Sequence, residues 1–265
     1  MSSKKHAIVM LAYFNCDLVE RTLESFGNYR KNNSVDVFLI ENPSKNSASM
    51  REIAVKYNVG HYMCSENVGV SLFDEFLRLR RAQMRDYDFI SITESDVVVE
   101  DSAIEETLSI LQENAEIPIA QIRLNADLDK YRKLPLGEWG ITGFPRYKTF
   151  SIGTTGFQFV TFRKEVMYDV LDRLERKEIS GCIAGMAGAP GTYAALSDQT
   201  VRMYVHQHHG GLAAITNLKL DHIGWEKYMD SEGNFDLQGE YAVEKIKHPL
   251  RHSIPCAIVE VTDVL

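Results

Sequence analysis

The feature that most constrains the fold is a regular alternation of short apolar runs with amphipathic stretches of helical length. The first run, Ala7 to Ala12, is uninterrupted and has the length of a strand, which is typical of a strand buried on both faces. The pattern continues with strands predicted at 35–40, near 62, at 89–93 and at 119–124, and with helices predicted at 47–57, 71–84 and 102–111. This order predicts an α/β fold with a mostly parallel central sheet and helices on both faces.

A capping pattern predicts where the first helix begins. Asp17 stands where an N-cap residue belongs, and Glu20 follows three residues later, as in a capping box. Side chains then recur at near-helical spacing at Leu18, Thr22, Phe26 and Tyr29. We therefore expect one helix to run through these positions.

The second half of the chain changes character. Residues 156–162 alternate at period two, as in a strand, and helices are predicted at 164–176 and at 198–209, before a strand at 212–220. Residues 125–148 are irregular, and the glycine-rich residues 181–191 predict either a lid or a close backbone approach to a ligand. No linker or repeat divides the chain, so we expect a single domain over residues 1–265.

Composition excludes several classes of protein. No apolar run approaches the roughly 18 residues of a membrane span, and the net charge of −8 disfavours broad binding to nucleic acid. Cysteines 16, 64, 182 and 256 form no metal-binding pattern, so we expect free thiols. The N-terminus does not read as a signal peptide. We expect a cytoplasmic protein, with peripheral attachment to a membrane as the alternative.

The loop after the first strand lacks the glycines that cradle phosphates. Tyr13-Phe14-Asn15-Cys16 contains none, which disfavours dinucleotide-binding and P-loop enzymes. If the chain binds phosphate, a divalent cation held by carboxylates is the obvious substitute for backbone N–H groups.

Glu94-Ser95-Asp96 are the first candidates to hold such a cation. They follow the apolar strand at 89–93, at the carboxyl edge where open α/β sheets bind ligands. Their spacing directs both acids to one side. The alternative is a solvated pair that caps the helix starting near Ser102.

Several short segments occur in a characteristic order along the chain: Tyr13-Phe14-Asn15, Glu41-Asn42-Pro43-Ser44, Glu66-Asn67-Val68-Gly69, Glu94-Ser95-Asp96, Gly153 to Gln158, Ser197-Asp198-Gln199-Thr200 and Asp221-His222-Ile223-Gly224. Together they resemble the inverting glycosyltransferases of the GT-A fold, particularly the large family 2 that uses nucleotide-sugar donors. The resemblance covers most of the chain, from Ala7 to about Trp225.

The resemblance implies roles for individual residues. Asp96 and His222 would hold Mn²⁺ or Mg²⁺, and Asp198 would be the catalytic base, although Ser197 replaces the acid that usually precedes it. Glu94 departs from the usual aspartate of its motif. Donor-binding roles are implied for Ala12, Tyr13, Asn15, Glu41, Asn67, Gly69, Glu94, Ser95 and Gly156.

The resemblance also implies an organisation and a function. Residues 1–112 would bind the nucleotide sugar, residues 113–225 would carry the acceptor and catalytic side, and residues 226–265 would form a C-terminal extension. The predicted activity is metal-dependent transfer of a sugar to a hydroxyl of a glycan or other acceptor, with inversion. A retaining enzyme, a non-catalytic sugar-nucleotide or glycan-binding module, and a transferase acting on modified nucleic acid remain alternatives.

Overall fold

A computed structural model describes residues 5–125, 150–152, 158–176, 178–179, 196, 198–224 and 257–262, without the side chains of 150–152, 198–199 and 262. Ten strands occur in these ranges: β1 His6–Ala12, β2 Val35–Glu41, β3 Gly60–Cys64, β4 Phe89–Glu94, β5 Val97–Val99, β6 Ile119–Leu124, β7 Phe150–Ile152, β8 Phe159–Arg163, β9 Ala214–His222 and β10 Ile258–Thr262. The helices are α1 Cys16–Ser25, α2 Gly27–Asn32, α3 Ser47–Tyr57, α4 Ser71–Leu79, α5 Arg81–Met84, α6 Asp101–Glu113, α7 Lys164–Glu175 and α8 Asp198–His209.

The strands form one sheet in the order β10-β3-β2-β1-β4-β8-β6-β9-β5, and β7 pairs with β9. Strands β1 to β4, β6 and β9 point the same way, whereas β5, β7, β8 and β10 run in the opposite direction. The sheet is therefore mostly parallel by strand direction, and the predicted α/β class is confirmed.

Helices cover both faces of the sheet. Ala7 and Val9 of β1 pack in a cluster that includes side chains of α4, α7 and α8. Ile8 and Met10, which alternate with them, pack in a second cluster with α1, α3 and α6. Successive side chains of a strand point to opposite faces, so an uninterrupted apolar run is what a sheet covered on both sides requires.

The predicted first helix is divided into α1 and α2. Phe26 separates them, and it turns into the core, where its ring meets that of Phe159 at 6.0 Å and an interplanar angle of 77°. The predicted capping box is wrong: α1 begins at Cys16 after Asn15, with no side-chain hydrogen bond at the cap. Phe14, with a φ of 67°, turns the chain just before this point, so the helix starts ahead of Asp17.

Strand β5 was not predicted from the sequence. Its three valines follow the acidic segment directly, and β9 pairs with one of its edges. The N–H groups of Val97 and Val99 donate to the hydroxyls of Thr22 and Ser25 on α1, at 3.2 Å each. Those hydroxyls satisfy backbone groups that an edge strand would otherwise expose.

The prediction of free cysteines is wrong for Cys64 and for the cysteine bonded to it. Cys16 is a free thiol, but Cys64 at the end of β3 forms a disulfide whose partner lies outside the described residues. A disulfide requires proximity in the fold, which the spacing of cysteines along the chain could not reveal. No helix in the described ranges is both long enough and apolar enough to cross a bilayer.

A buried imidazole starts a chain of hydrogen bonds through the core. His6 is only 1% exposed. Its Nδ1 lies 2.9 Å from the hydroxyl of Tyr29, and its Nε2 lies 2.7 Å from the hydroxyl of Ser91. Leaving a buried polar group unsatisfied costs about 1–3 kcal/mol, so both ring nitrogens need these partners.

Counting protons gives the direction of every bond in this chain. Thr107 donates its only hydroxyl proton to the carbonyl of Ile104 at 2.7 Å, so toward Thr161 at 3.0 Å it must accept. Thr161 therefore accepts from Ser91 at 2.7 Å, and Ser91 in turn accepts from His6. The imidazole proton accordingly lies on Nε2.

The same reasoning makes Nδ1 of His6 the acceptor of the Tyr29 proton, so the ring is neutral. Burial lowers the pKa of His6 to about 3. In the unfolded chain the imidazole takes a proton below its ordinary pKa of 6.5, whereas in the folded protein it stays neutral until much lower pH. The contribution of His6 to the free energy of unfolding is therefore fully present above pH 6.5 and is lost as the pH falls toward 3.

We expect His6→Gln to reduce the acid sensitivity of the fold. One group that titrates only in the unfolded state contributes a slope of about 1.4 kcal/mol per pH unit to the free energy of unfolding. Urea unfolding at several pH values between the two pKa values should give a shallower slope for His6→Gln than for the wild type. His206→Gln, an exposed histidine of α8, is the control; equal slopes for wild type and His6→Gln would contradict the assignment.

Candidate metal and donor site

Two strand ends bring an acidic segment and a histidine together. Glu94 is the last residue of β4, and His222 is the last residue of β9. The two strands point the same way in the sheet, so both side chains emerge at its carboxyl edge. This edge is where open α/β sheets bind ligands.

Pairing between β5 and β9 brings Asp96 next to His222. Val97 lies opposite His222 in this antiparallel pair, and the N–H of Ile223 donates to the carbonyl of Asp96 at 2.8 Å. Asp96, immediately before β5, is thereby held beside His222. A second link ties the end of β9 to β6, because Asn125 donates through its side-chain amide to Asp221 at 2.8 Å.

The three side chains form a compact group. Nε2 of His222 lies 3.4 Å from Oδ1 of Asp96 and 3.6 Å from Oε2 of Glu94. One ligand atom from each residue lies within 4.8 Å of the others, and no other such group of histidine, cysteine and acidic residues occurs in the described part of the chain. The exposed fraction of the side chain is 8% for Asp96, 13% for His222 and 36% for Glu94. The group is therefore accessible mainly from the side of Glu94.

The electrostatics of this group favour a positive charge. Burial alone lowers the pKa of His222, but hydrogen bonds and charges from Asp96 and Glu94 overcome that effect and raise the pKa to about 9. Two carboxylates this close also favour a cation between them. Without a metal ion, the imidazole proton supplies that charge.

The donor set fits a divalent cation. Carboxylate oxygens are the ligands that Mg²⁺ and Mn²⁺ prefer, and Mn²⁺ also accepts an imidazole nitrogen. Asp96 and His222, predicted as metal ligands, and Glu94, predicted to bind the donor, lie together. Ser95, between the two acids, is half-buried.

A glycine packs directly against the group. A Cβ atom on Gly224 would lie 2.1 Å from Oδ2 of Asp96 and 2.9 Å from Cε1 of His222. Any side chain at this position must push one of the two residues aside. The absence of a side chain at position 224 thus allows the backbone to support both predicted ligands.

The alternative interpretation of the acidic pair as a helix cap is wrong. Helix α6 begins at Asp101, and its N-cap is Glu100. Strand β5 separates Asp96 from that cap. Asp96 is 6% exposed as a whole residue, which also excludes the solvated surface pair of that interpretation.

The first predicted donor-binding segment follows β1. Ala12 is the buried last residue of the strand, and Tyr13 and Asn15 are half-buried. Phe14, between them, adopts a φ of 67°, a left-handed conformation that costs energy for a bulky side chain. The carbonyl of Phe14 accepts a hydrogen bond from the amide of Asn46 at 2.8 Å, which helps to hold this turn.

Glu41, predicted to bind the donor, lies entirely inside the protein. Both Glu41 and His61 are 0% exposed, and Oε2 of Glu41 lies 2.8 Å from Nε2 of His61. The hydroxyl of Ser47 donates to Oε1 of Glu41 at 2.6 Å. His61 and Ser47 were not predicted to contribute here, because nothing in the sequence around either residue indicates a buried polar contact.

Asn67 and Gly69 form a turn after β3. The N–H of Gly69 donates to the side-chain oxygen of Asn67 at 3.1 Å, and Gly69 has a φ of 57°. Glycine adopts that conformation without the usual cost of a Cβ atom. Both residues are half-buried at the carboxyl edge of the sheet, and their contact with a donor remains a prediction.

Two predicted site residues lie wholly or partly outside the described part of the chain. Gly156 lies outside the described residues. Asp198 is the first residue of α8, as predicted for the start of that helix, but its side chain is not among those described. The role of Asp198 as a base therefore remains a prediction.

Solved structures share this fold at low sequence identity. A mycobacterial protein matches 82% of this chain and 66% of its own, with 11% identity and a TM-score of 0.50. Glucosyl-3-phosphoglycerate synthase from Mycobacterium tuberculosis, solved with Mg²⁺ and UDP, matches 82% and 70% respectively, with 14% identity and a TM-score of 0.47. S. aureus TarS matches 82% and 60%, with 11% identity and a TM-score of 0.47.

No protein-family model matches the chain, and no curated protein sequence matches it either. The likeness to solved structures concerns the fold alone. The fold shared at a TM-score of 0.50 is a mixed α/β domain with a large central sheet, which agrees with the predicted α/β class.

We expect Gly224→Ala to weaken Mn²⁺ binding while leaving the protein folded. The added methyl group must displace Asp96 or His222, and changes next to metal ligands typically cost about 10- to 100-fold in affinity. Free Mn²⁺ measured by electron paramagnetic resonance gives the dissociation constant. Gly27→Ala is the matched control, because a Cβ there would meet no atom within 4 Å. Unchanged Mn²⁺ affinity in Gly224→Ala would contradict the close packing.

Proposed function

We propose that this protein is a metal-dependent glycosyltransferase that moves a sugar from a nucleotide-sugar donor to a hydroxyl acceptor, with inversion at the anomeric carbon. The observation that carries the proposal is the group formed by Glu94, Asp96 and His222 at the carboxyl edge of the mostly parallel sheet. Its geometry supports a cation site, and its place in the fold supports a ligand that carries phosphate.

In this proposal Asp96 and His222 hold Mn²⁺ or Mg²⁺, with Glu94 on the more open side. A bound divalent cation would act as a Lewis acid toward the diphosphate that leaves the sugar. The carboxylates of Asp96 and Glu94 would hold that cation, and the absence of a side chain at Gly224 leaves room for Asp96 and His222. Mostly buried ligands exclude water from their side of the site, which strengthens electrostatic interactions there.

The donor-side loops follow β1, β2 and β3 at the same edge. Tyr13 and Asn15 from the first loop, and Asn67 and Gly69 from the third, are the groups we assign to the nucleoside. All four are half-buried, so they combine a fixed position with accessible surface.

Removal of the acceptor proton is assigned to Asp198. An inverting transfer needs a base on the face of the sugar opposite the leaving group. Asp198 begins α8, and the order of motifs supports its assignment as that base. The acceptor class is a hydroxyl of a glycan or another molecule, and the cytoplasm is the proposed compartment.

The proposal is tested by assaying turnover with nucleoside diphosphate sugars, with and without Mn²⁺. We expect Asp96→Asn to abolish metal-dependent turnover, including donor hydrolysis, because the neutral amide is a poor ligand for a hard cation. Glu100→Gln, which changes an exposed acid at the start of α6, is the matched control. Turnover of Asp96→Asn at the wild-type rate would contradict the metal site, and donor binding by the wild type without any turnover would indicate a binding module.

We expect Asp198→Asn to lower kcat by roughly 10²- to 10⁴-fold, the usual contribution of a positioned general base. The amide retains the shape of the side chain, so the melting temperature should barely change. Stopped assays give kcat, and NMR of the product gives its anomeric configuration. Wild-type turnover in the variant, or a product of retained configuration, would remove Asp198 from the role of base.

A further inference from the structure

Glu41, to which the family resemblance assigns a contact with the donor, is fully buried. We propose that Glu41 is a positioning residue, which fixes the loops that contact the donor without touching the donor itself. This inference rests on the proposed function, because it concerns how that same site is built. It changes the assignment of Glu41 from a direct contact with the nucleoside to a contact inside the protein.

The contacts of Glu41 leave no surface for a ligand. Ser47 donates to one carboxylate oxygen at 2.6 Å, and the imidazole of His61 lies 2.8 Å from the other. Glu41 and His61 are both 0% exposed. A nucleoside could reach this carboxylate only if the packing around it opened, and a buried acid that loses its partners is strongly disfavoured.

The residue after Glu41 links the second donor-side loop to the third. Asn42 is 1% exposed. Its side-chain oxygen accepts from the N–H of Val68 at 2.9 Å, and its side-chain amide donates to the carbonyl of Gly69 at 3.2 Å. One side chain therefore satisfies two backbone groups of the loop that carries Asn67.

The residue before Ser47 links the second loop to the first. The side-chain amide of Asn46 donates to the carbonyl of Phe14 at 2.8 Å, and Phe14 has the left-handed φ of 67°. Strained backbone persists only where surrounding contacts hold it. Because Ser47 is bonded to Glu41, the position of Glu41 also sets the position of Asn46.

Glu41 thus lies between two links, Asn42 on one side and Asn46 on the other. Holding both ends of the second loop fixes the first and third loops relative to each other. A change at Glu41 should therefore lower the affinity for every nucleotide by the same factor, whichever hydroxyl groups and base the nucleotide carries. Loss of a direct hydrogen bond would instead lower the affinity only for nucleotides that carry the bonded group. This difference can be measured.

The first measurement compares nucleotides that lack single hydroxyl groups. Calorimetry with Mn²⁺ gives the affinity of wild type and Glu41→Gln for the diphosphates of uridine, cytidine, guanosine and adenosine, and for their 2′-deoxy and 3′-deoxy forms. We expect Glu41→Gln to weaken the ribose and both deoxyribose forms by the same factor, within about twofold, and to keep the base preference of the wild type. Ser47→Ala should give the same pattern.

The second measurement needs no nucleotide. Hydrogen exchange of the backbone amides should be faster in Glu41→Gln both at residues 13–16 and at residues 67–69, because two loops lose a shared support. Glu100→Gln is the control with an exposed acid. Ser47→Ala is a milder second variant, because it removes one hydrogen bond to Glu41 and leaves the contact between Glu41 and His61. It should show the same faster exchange while the protein stays folded.

The outcomes separate this inference from the proposed function. A smaller loss for a deoxy nucleotide than for its ribose form, or a changed base preference, would mean that Glu41 contacts the donor and would overturn the positioning role alone. Unchanged exchange in both loops would also overturn it. If the wild type bound none of the nucleotides tested, the proposed function would be overturned, and the positioning role with it.

Discussion

The candidate site depends on the pairing of β5 with β9. Acidic residues at the end of β4 come from the first half of the chain, and His222 comes from the second. The pairing that sets Val97 opposite His222 carries Asp96 to the histidine, and α1 supports the same short strand through Thr22 and Ser25. A three-residue strand thereby holds Asp96 beside His222.

Part of this arrangement could be predicted from the sequence. An apolar run such as Ala7 to Ala12 predicts a buried strand, and acids at the end of a strand indicate the edge of the sheet where ligands bind. Other features depend on distant pairing that no local pattern encodes. Strand β5 needs β9 to exist as a strand, the Glu41–His61 contact needs β2 to lie beside β3, and the disulfide of Cys64 needs a neighbour in space. Helix α1 begins before Asp17 because the left-handed backbone at Phe14 turns the chain there. A capping pattern contains no information about that turn.

The acids around His222 and the acid at position 41 are both buried or half-buried, but their charges are balanced differently. Around His222, two carboxylates outnumber one imidazole, so the group has capacity for a further positive charge. Around Glu41, each carboxylate oxygen already has a protein partner, so that group is complete. Buried acids at the same sheet edge can therefore serve either a ligand or the scaffold.

The chain of hydroxyl groups that begins at His6 limits which substitutions the core can accept. Each member donates one proton and accepts one, so a change at Ser91, Thr107 or Thr161 leaves a neighbour with a bond missing. Serine and threonine can replace each other there, because both keep the same donor and acceptor. Removing the chain without leaving an unsatisfied buried group therefore requires apolar residues at several of these positions together.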